Sequence, residues 1–127
     1  LFIILKIGLI MHEEFLKPIE NIRHYRMSRH LYDIEKLMDH DYGKEAIKNK
    51  ELFETLVQHR SKYTPIRGIS YELHTPQTIN FIPPAEVTEL WKKDYQAMQE
   101  FMIYGETLEF DNLIERLIDL KKRLKNL

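Results

Sequence analysis

The sequence predicts a mainly α-helical protein, a bundle of five or six helices around one core. Apolar residues recur at helical spacing through most of the chain, and glycines and prolines punctuate the periodic segments. The apolar fraction of 43% and the charged fraction of 31% are typical of a folded globular protein. A chain of 127 residues can bury a core of its own but is too short for several domains. We therefore expect residues 1–127 to form a single helical domain.

The first half of the chain is expected to form four helices. An apolar helix at about residues 2–15 is expected to be buried, because its apolar run is too short to span a bilayer. Ser28 is a favourable N-cap for the second helix, and Gly43 is expected to end it as a left-handed cap. A short helix then begins near Lys44, and a longer one ends near Lys62.

An extended excursion near residues 66–83 separates these helices from the last two. Its two β-prone pieces, Ile69–Leu73 and Thr78–Ile82, predict a short hairpin-like segment. Helix resumes at Pro84, because proline suits a first turn, and stops at Gly105. The closing helix carries its apolar residues on one face: Phe110, Leu113, Ile114, Leu117, Leu120 and Leu124.

The bulk properties exclude several kinds of site. The absence of cysteine excludes disulfides, thiolate metal sites and cysteine nucleophiles, and it is compatible with the cytoplasm, where we expect the protein. The six histidines show none of the spacings of a zinc site, and no metal site is expected in this chain. The net charge of -1 argues neither for nor against nucleic acid, and no membrane association is expected.

Candidate functional residues concentrate at one predicted helix start. Residues 23–34 read RHYRMSRHLYDI, in which Arg23, Arg26 and Arg29 precede Asp33. A helix N-terminus with arginine forks suits phosphate oxygens, and Asp33 would act beside it as a metal ligand or a base. The alternative is a solvated basic turn with an Arg29–Asp33 surface pair, which composition alone favours.

Other polar and aromatic groups are expected to be structural. Glu13 and Glu14 point about 100° apart on a helix, so a solvated face is expected and not an acid–base pair. Arg60 lies at a helix C-terminus, where a cation complements the helix dipole. Trp91 and Tyr95, one turn apart, are expected to lie in the core.

The segment RHLYDI at residues 29–34 resembles the AbiEii/AbiGii family of nucleotidyltransferase toxins, in which an R-x-x-Y-D-[LI] helix start is typical. Further resemblances follow in the family's order over roughly residues 12–124: EKLM at 35–38, VQHR at 57–60, IPP at 82–84, DYQAM at 94–98, MIYG at 102–105, and Phe110 with Leu113 and Ile114.

The resemblance implies half of a two-part enzyme from toxin–antitoxin or phage-defence systems. An N-terminal domain with G-S and D-x-D motifs would hold the NTP and Mg²⁺, and a helical C-terminal half would close the cleft. It further implies that nucleotides are transferred to an RNA acceptor such as tRNA, and that an antitoxin is a partner. In this chain Asp33 matches the catalytic aspartate and Arg29 its companion, while Arg23, Arg26 and Lys6 are the candidates for nucleotide or phosphate binding.

The catalytic motifs of the N-terminal domain are missing from the 127 residues. No G-S pair occurs, and the only D-x-D letters, Asp39–His40–Asp41, follow the R-x-x-Y-D helix start. We therefore expect a truncated protein that is inactive alone, with its homologous region starting near Leu9. The alternatives are a non-enzymatic module that binds RNA or an antitoxin, and a bundle that self-associates through exposed apolar residues such as Phe2, Ile3 and Leu5.

Overall fold

The computed structural model describes residues 3–63, 69, 71, 74–101 and 107–126. In these residues the chain is mainly α-helical and contains no strand, which confirms the predicted fold class. Short 3-10 turns occupy Ile19–Asn21 and Ala85–Val87. The helices are α1 (Ile3–Phe15), α2 (Ser28–Met38), α3 (Asp41–Lys48), α4 (Lys50–Tyr63), α5 (Thr88–Phe101) and α6 (Phe110–Lys125).

Helix α2 is the centre of the bundle. It contacts α1, α3, α5 and α6, and its apolar stripe of Leu31, Ile34 and Met38 is almost completely buried. Helices α5 and α6 contribute the facing side chains, and the predicted core pair Trp91 and Tyr95 has no exposed surface. The apolar face predicted for the last helix is buried at four of its leucines: Leu113, Leu117, Leu120 and Leu124.

Helix α1 is largely buried, as predicted, and it runs antiparallel to α2. Glu14, near its C-terminal end, binds Arg23, which precedes α2. Ile4, at the other end, approaches Gly43, which follows α2. Leu5 is only 4% exposed, so the prediction that it contributes to self-association is wrong, because it packs in the core. Ile3 is exposed, and Phe2 lies outside the described residues.

Both predicted helix caps are wrong. Ser28 is the first residue of α2, and its hydroxyl donates to Asp94 instead of capping its own helix. Gly43 lies inside α3, because α2 already ends at Met38. A Cβ at Gly43 would collide with the carbonyl oxygen of Leu37, so the glycine permits a close approach of backbones and does not form a left-handed cap.

The excursion near residues 66–83 contains no strand in its described residues, so the hairpin prediction is wrong there. Ile69–Leu73 lies largely outside the described residues, as does Gly105. The second piece, Thr78–Ile82, is irregular and is anchored to the core by the buried side chains of Ile79 and Phe81. The alternation of apolar and polar residues, which predicted a strand, therefore reflects the burial of alternate side chains in the core and not pairing with another strand.

No helix in the described part of the chain is both long and apolar enough to cross a membrane.

Candidate functional site

The arginine-rich segment and helix α5 enclose a cavity of about 290 Å³, here called the α2–α5 cavity. Two of its lining residues, Tyr25 and Phe101, are more than 70% exposed, so aromatic surface faces solvent at its rim. The residues that line it are Tyr25, Arg26, Arg29, Asp94, Ala97, Met98 and Phe101.

Asp94 holds the segment that carries the arginines. One carboxylate oxygen accepts the backbone N–H of Arg26 at 2.7 Å. The other accepts the backbone N–H of Ser28 at 3.0 Å and also its hydroxyl. The Asp94 carboxylate thus caps the N-terminal end of α2 from another helix, where negative charge also complements the helix dipole.

Arg26 has a φ of 58°, in the left-handed region that a non-glycine residue seldom adopts. Such a conformation costs on the order of 1 kcal/mol or more and persists only where surrounding contacts hold it. Here the hydrogen bond to Asp94 holds it, and the Arg26 guanidinium lies 5.2 Å from the centre of the Tyr25 ring. The strained residue therefore carries a cation at the mouth of the cavity.

Arg29 and Asp33 lie one turn apart on α2, as predicted. Their closest atoms, Nε and Oδ1, are 3.4 Å apart, and the side chains are 51% and 35% exposed. A long, solvated pair of this kind contributes little to stability. Both groups therefore stay accessible to a ligand that approaches α2 from solvent.

Arg23 does not line the α2–α5 cavity. Its Nε and Nη2 donate to Glu14 at 3.0 and 2.7 Å, and its backbone N–H donates to the second oxygen. Glu14 is 2% exposed, so the predicted solvated face is wrong at this position. Burial opposes ionisation of Glu14, but the hydrogen bonds from Arg23 and Lys17 outweigh it and hold its pKa below the ordinary value.

Glu13 is also buried, which corrects the second half of that prediction. Its oxygens accept from Nε and Nη2 of Arg60 at 2.8 and 2.6 Å, and the ring of His74 lies 3.5 Å away. Arg60 therefore joins α4 to α1, a role beyond the predicted complement to a helix dipole. The available sequence signal was a pair of carboxylates inside a run of apolar residues, a position where charge requires a buried partner.

His12 completes this buried polar centre. Its Nδ1 accepts the backbone N–H of Asn80 at 2.8 Å, and its ring meets that of His74 edge-on at 4.8 Å. Burial, and then the neighbouring His74, lower the pKa of His12 to about 4. The ring is therefore neutral at pH 7, and its contacts join α1 to the segment before α5.

Lys6 is exposed on α1 and does not line the α2–α5 cavity. It lies about 12 Å along the helix from Glu14, at 1.5 Å per residue. The structure thus brings Arg26 and Arg29 together, with Asp33 one turn further along α2, and places Arg23 and Lys6 elsewhere.

Of the D-x-D letters at Asp39–His40–Asp41, Asp39 forms ion pairs, His40 is the N-cap of α3 and Asp41 is its first residue. Asp39 accepts from Arg123 at 2.9 Å and also pairs with Arg116, so it joins the end of α2 to α6. The hydrogen bonds from Arg123 and then Arg116 lower the pKa of Asp39. Over the described ranges, no three His, Asp or Glu side chains are grouped in a way that could hold a metal ion.

Comparison with known families gives a match over most of the chain. The family described as "Nucleotidyl transferase AbiEii toxin, Type IV TA system" matches residues 9–116. The match begins at Leu9, near the predicted start of the homologous region, and it includes all the described residues that line the α2–α5 cavity. No curated protein and no solved structure matches the chain.

Proposed function

Because the chain belongs to the AbiEii family of nucleotidyltransferase toxins, we propose that it is the helical half of an enzyme that transfers nucleotides from an NTP to an RNA acceptor such as tRNA. The family's type IV toxin–antitoxin system implies an antitoxin partner. The observation that carries the proposal is the solvent-facing Arg29–Asp33 pair beside the strained Arg26 at the α2–α5 cavity.

The arginines would neutralise phosphate charge. Arg26 and Arg29 both line the cavity, and among its described lining residues the one carboxylate, Asp94, is occupied by N–H and O–H donors. Two guanidinium groups thus face the cavity without a carboxylate there that is free to pair with them. An arrangement of this kind favours a phosphate-bearing ligand, because a guanidinium fork matches phosphate oxygens and stabilises the charge that develops during transfer.

Asp33 would act on the acceptor hydroxyl. In the proposed step the hydroxyl oxygen bonds to the α-phosphorus of the NTP, pyrophosphate leaves, and the Asp33 carboxylate takes the hydroxyl proton. The family also implies Mg²⁺. Among the described residues, Asp33 belongs to no group of three potential metal ligands. We assign the binding of Mg²⁺ and NTP to a nucleotidyltransferase domain with G-S and D-x-D motifs, and we expect the chain to be inactive without it.

The test measures incorporation of labelled NTP into RNA by the chain supplied with that domain. We expect Asp33→Asn to lower transfer at least about 100-fold, the usual contribution of a general base. The matched control is Asp111→Asn, which removes an 82% exposed carboxylate from α6 and should leave transfer unchanged. Transfer within about twofold of the parent by Asp33→Asn would refute the role of Asp33.

The chain alone is the second arm of this experiment. We expect no incorporation from any of the four NTPs. Incorporation by the isolated chain would contradict the need for a second domain. RNA binding without transfer, even when the domain is supplied, would favour the non-enzymatic binding module.

A further inference from the structure

A second and larger groove, of about 430 Å³, lies at the C-terminal end of α6. It is here called the lysine groove. The segment before α5 forms its other wall, with two consecutive prolines that restrict the backbone. The residues that line it are Asn80, Ile82, Pro83, Pro84, Ile118, Lys121, Lys122 and Lys125.

No described residue compensates the charge of the lysine groove. Within the described ranges no carboxylate lines it, and Lys121, Lys122 and Lys125 form no ion pair. The arginines of α6 behave differently, because Arg116 pairs with Asp39 and Arg123 pairs with Asp39 and Asp119. A protein with a net charge of -1 thus presents three unpaired cations on one face of one helix.

The groove is also ordered by hydrogen bonds. The Lys121 ammonium donates to the side-chain oxygen of Asn80 at 3.0 Å. The same oxygen accepts the N–H of Ile82, and the Asn80 backbone N–H donates to His12. Burial, and then the proximity of Lys125, lower the pKa of Lys121. One lysine is therefore fixed in position although a like charge lies nearby, an arrangement that an anion would stabilise.

The helix dipole accounts for only part of this arrangement. Basic residues are favourable in the last turn of any helix. The dipole does not explain why these three share a groove with no carboxylate, or why Lys121 is held against the segment before α5. Apolar surface from Ile118, which is 40% exposed, and Ile82 adds a floor on which a ligand can lie.

We propose that the lysine groove binds the phosphate backbone of an RNA strand; that the polyanion is RNA rests on the proposed function. Ammonium groups contact phosphates without reading bases, so binding is independent of sequence and serves to position the strand. Pro84 of the groove lies four residues before α5, and Met98 in the α2–α5 cavity lies about 15 Å along that helix from its first residue, Thr88, at 1.5 Å per residue. The groove is therefore a separate docking position that holds the acceptor while its end reaches Asp33.

The test measures the binding of a labelled single-stranded RNA to the full chain by fluorescence anisotropy. The salt concentration is varied from about 50 to about 200 mM, a range over which affinity through phosphate contacts falls strongly. We expect the triple variant Lys121→Gln, Lys122→Gln, Lys125→Gln to weaken binding at least tenfold at the low-salt end. Each phosphate contact contributes about 0.7 to the slope of log affinity against log salt, so the slope should fall by about 2.

The matched control neutralises three lysines elsewhere. Lys44, Lys48 and Lys93 are exposed, line no described cavity and give the same change in net charge when replaced by glutamine. We expect the control to bind within about twofold of the parent. The double variant Lys122→Gln, Lys125→Gln keeps the bond from Lys121 to Asn80, so it should fold normally and still lose about 1.4 of the slope.

Three results would overturn the proposal. Equal weakening by the control would show a diffuse charge effect and no groove. Tighter binding of polyglutamate than of RNA, lost with the same lysines, would identify an acidic protein segment as the ligand. The binding result is separable from the proposed function, because loss of transfer in Asp33→Asn with intact RNA binding tests catalysis alone. Normal nucleotide transfer, together with RNA binding that does not depend on the three lysines, would refute the groove proposal and leave the proposed function intact.

Discussion

The carboxylate of Asp94 on α5 accepts the backbone N–H of Arg26 at 2.7 Å, although the two residues are 68 positions apart. This contact joins two segments that the sequence analysis treated separately, the arginine-rich helix start and the DYQAM segment. It fixes the left-handed backbone of Arg26 and the beginning of α2 together. The positions of both cavity arginines therefore depend on Asp94, a residue that we do not expect to bind the ligand itself.

Replacing Asp94 with alanine should destabilise the protein by about 2 kcal/mol. The loss combines an absent helix cap with unsatisfied N–H groups on Arg26 and Ser28. Urea unfolding of the variant would measure it. Gln96→Ala, an exposed change on the same helix, is the control and should shift the free energy of unfolding by less than about 0.5 kcal/mol. Similar free energies of unfolding for Asp94→Ala and Gln96→Ala would show that Asp94 does not stabilise α2.

Replacing Arg60 with methionine should cost about 3–5 kcal/mol, because it leaves the buried carboxylate of Glu13 without its guanidinium fork. The double variant with Glu13→Met as well should recover most of that loss, since the buried Glu13 carboxylate is then no longer left without its guanidinium. Arg123→Met breaks two exposed pairs, with Asp39 and Asp119, and should cost less than about 1 kcal/mol. Thermal and urea unfolding would separate these cases, and a double variant less stable than Arg60→Met would contradict the assignment.

The two buried helical glycines should respond to alanine in opposite directions. At Gly43 a Cβ would meet the carbonyl oxygen of Leu37, and the required backbone shift should cost about 3 kcal/mol or more. At Gly8 the nearest atom is Cδ1 of Ile79 at 3.5 Å, an ordinary contact, so Gly8→Ala should stabilise α1 by about 0.5–1 kcal/mol. Melting temperatures that move in the same direction for both variants would contradict this reading of the α2–α3 junction.

Stability should fall as the pH drops from about 6.5 to about 4, with His12 a principal cause. The folded pKa of about 4 lies below the ordinary value of 6.5, so the unfolded chain takes up a proton that the folded chain excludes. The neutral His12 ring therefore contributes its full share to the free energy of unfolding above pH 6.5. Below about pH 4 the free energy of unfolding is lower by about 3 kcal/mol for this reason. Burial of the ring is the largest cause of this shift; His74 and Lys121 lower the pKa further, and Glu13 opposes them.

Replacing His12 with asparagine tests that assignment. The amide oxygen can accept the N–H of Asn80 in place of Nδ1 but does not titrate. Free energies of unfolding at pH 7 and pH 4.5 should therefore differ less in the variant than in the parent. The same pH dependence in both proteins would assign the effect to other groups.

The local chemistry of this protein could be predicted from its sequence. The helical class, the apolar face of α6 and the Trp91–Tyr95 core pair follow from residue spacing, because a helix fixes which side chains share a face, and the burial of α1 follows from the length of its apolar run. The Arg29–Asp33 pairing follows for the same reason, since both residues lie one turn apart on α2. The ordered motifs also indicated the family, which the match over residues 9–116 confirms.

The tertiary structure decided which polar groups are buried and what satisfies them. Glu13 and Asp94 receive partners from distant segments, and Glu14 receives Arg23 from beyond the end of α1, so no helical periodicity predicts these contacts. Serine and glycine are residue types that favour helix caps, but Ser28 instead donates to Asp94, and Gly43 instead permits the close approach of α3 to Leu37. The physical reason is that a helix face is determined by neighbours three or four residues away, whereas a buried charge is satisfied by whichever donor the packing of helices brings within hydrogen-bond distance.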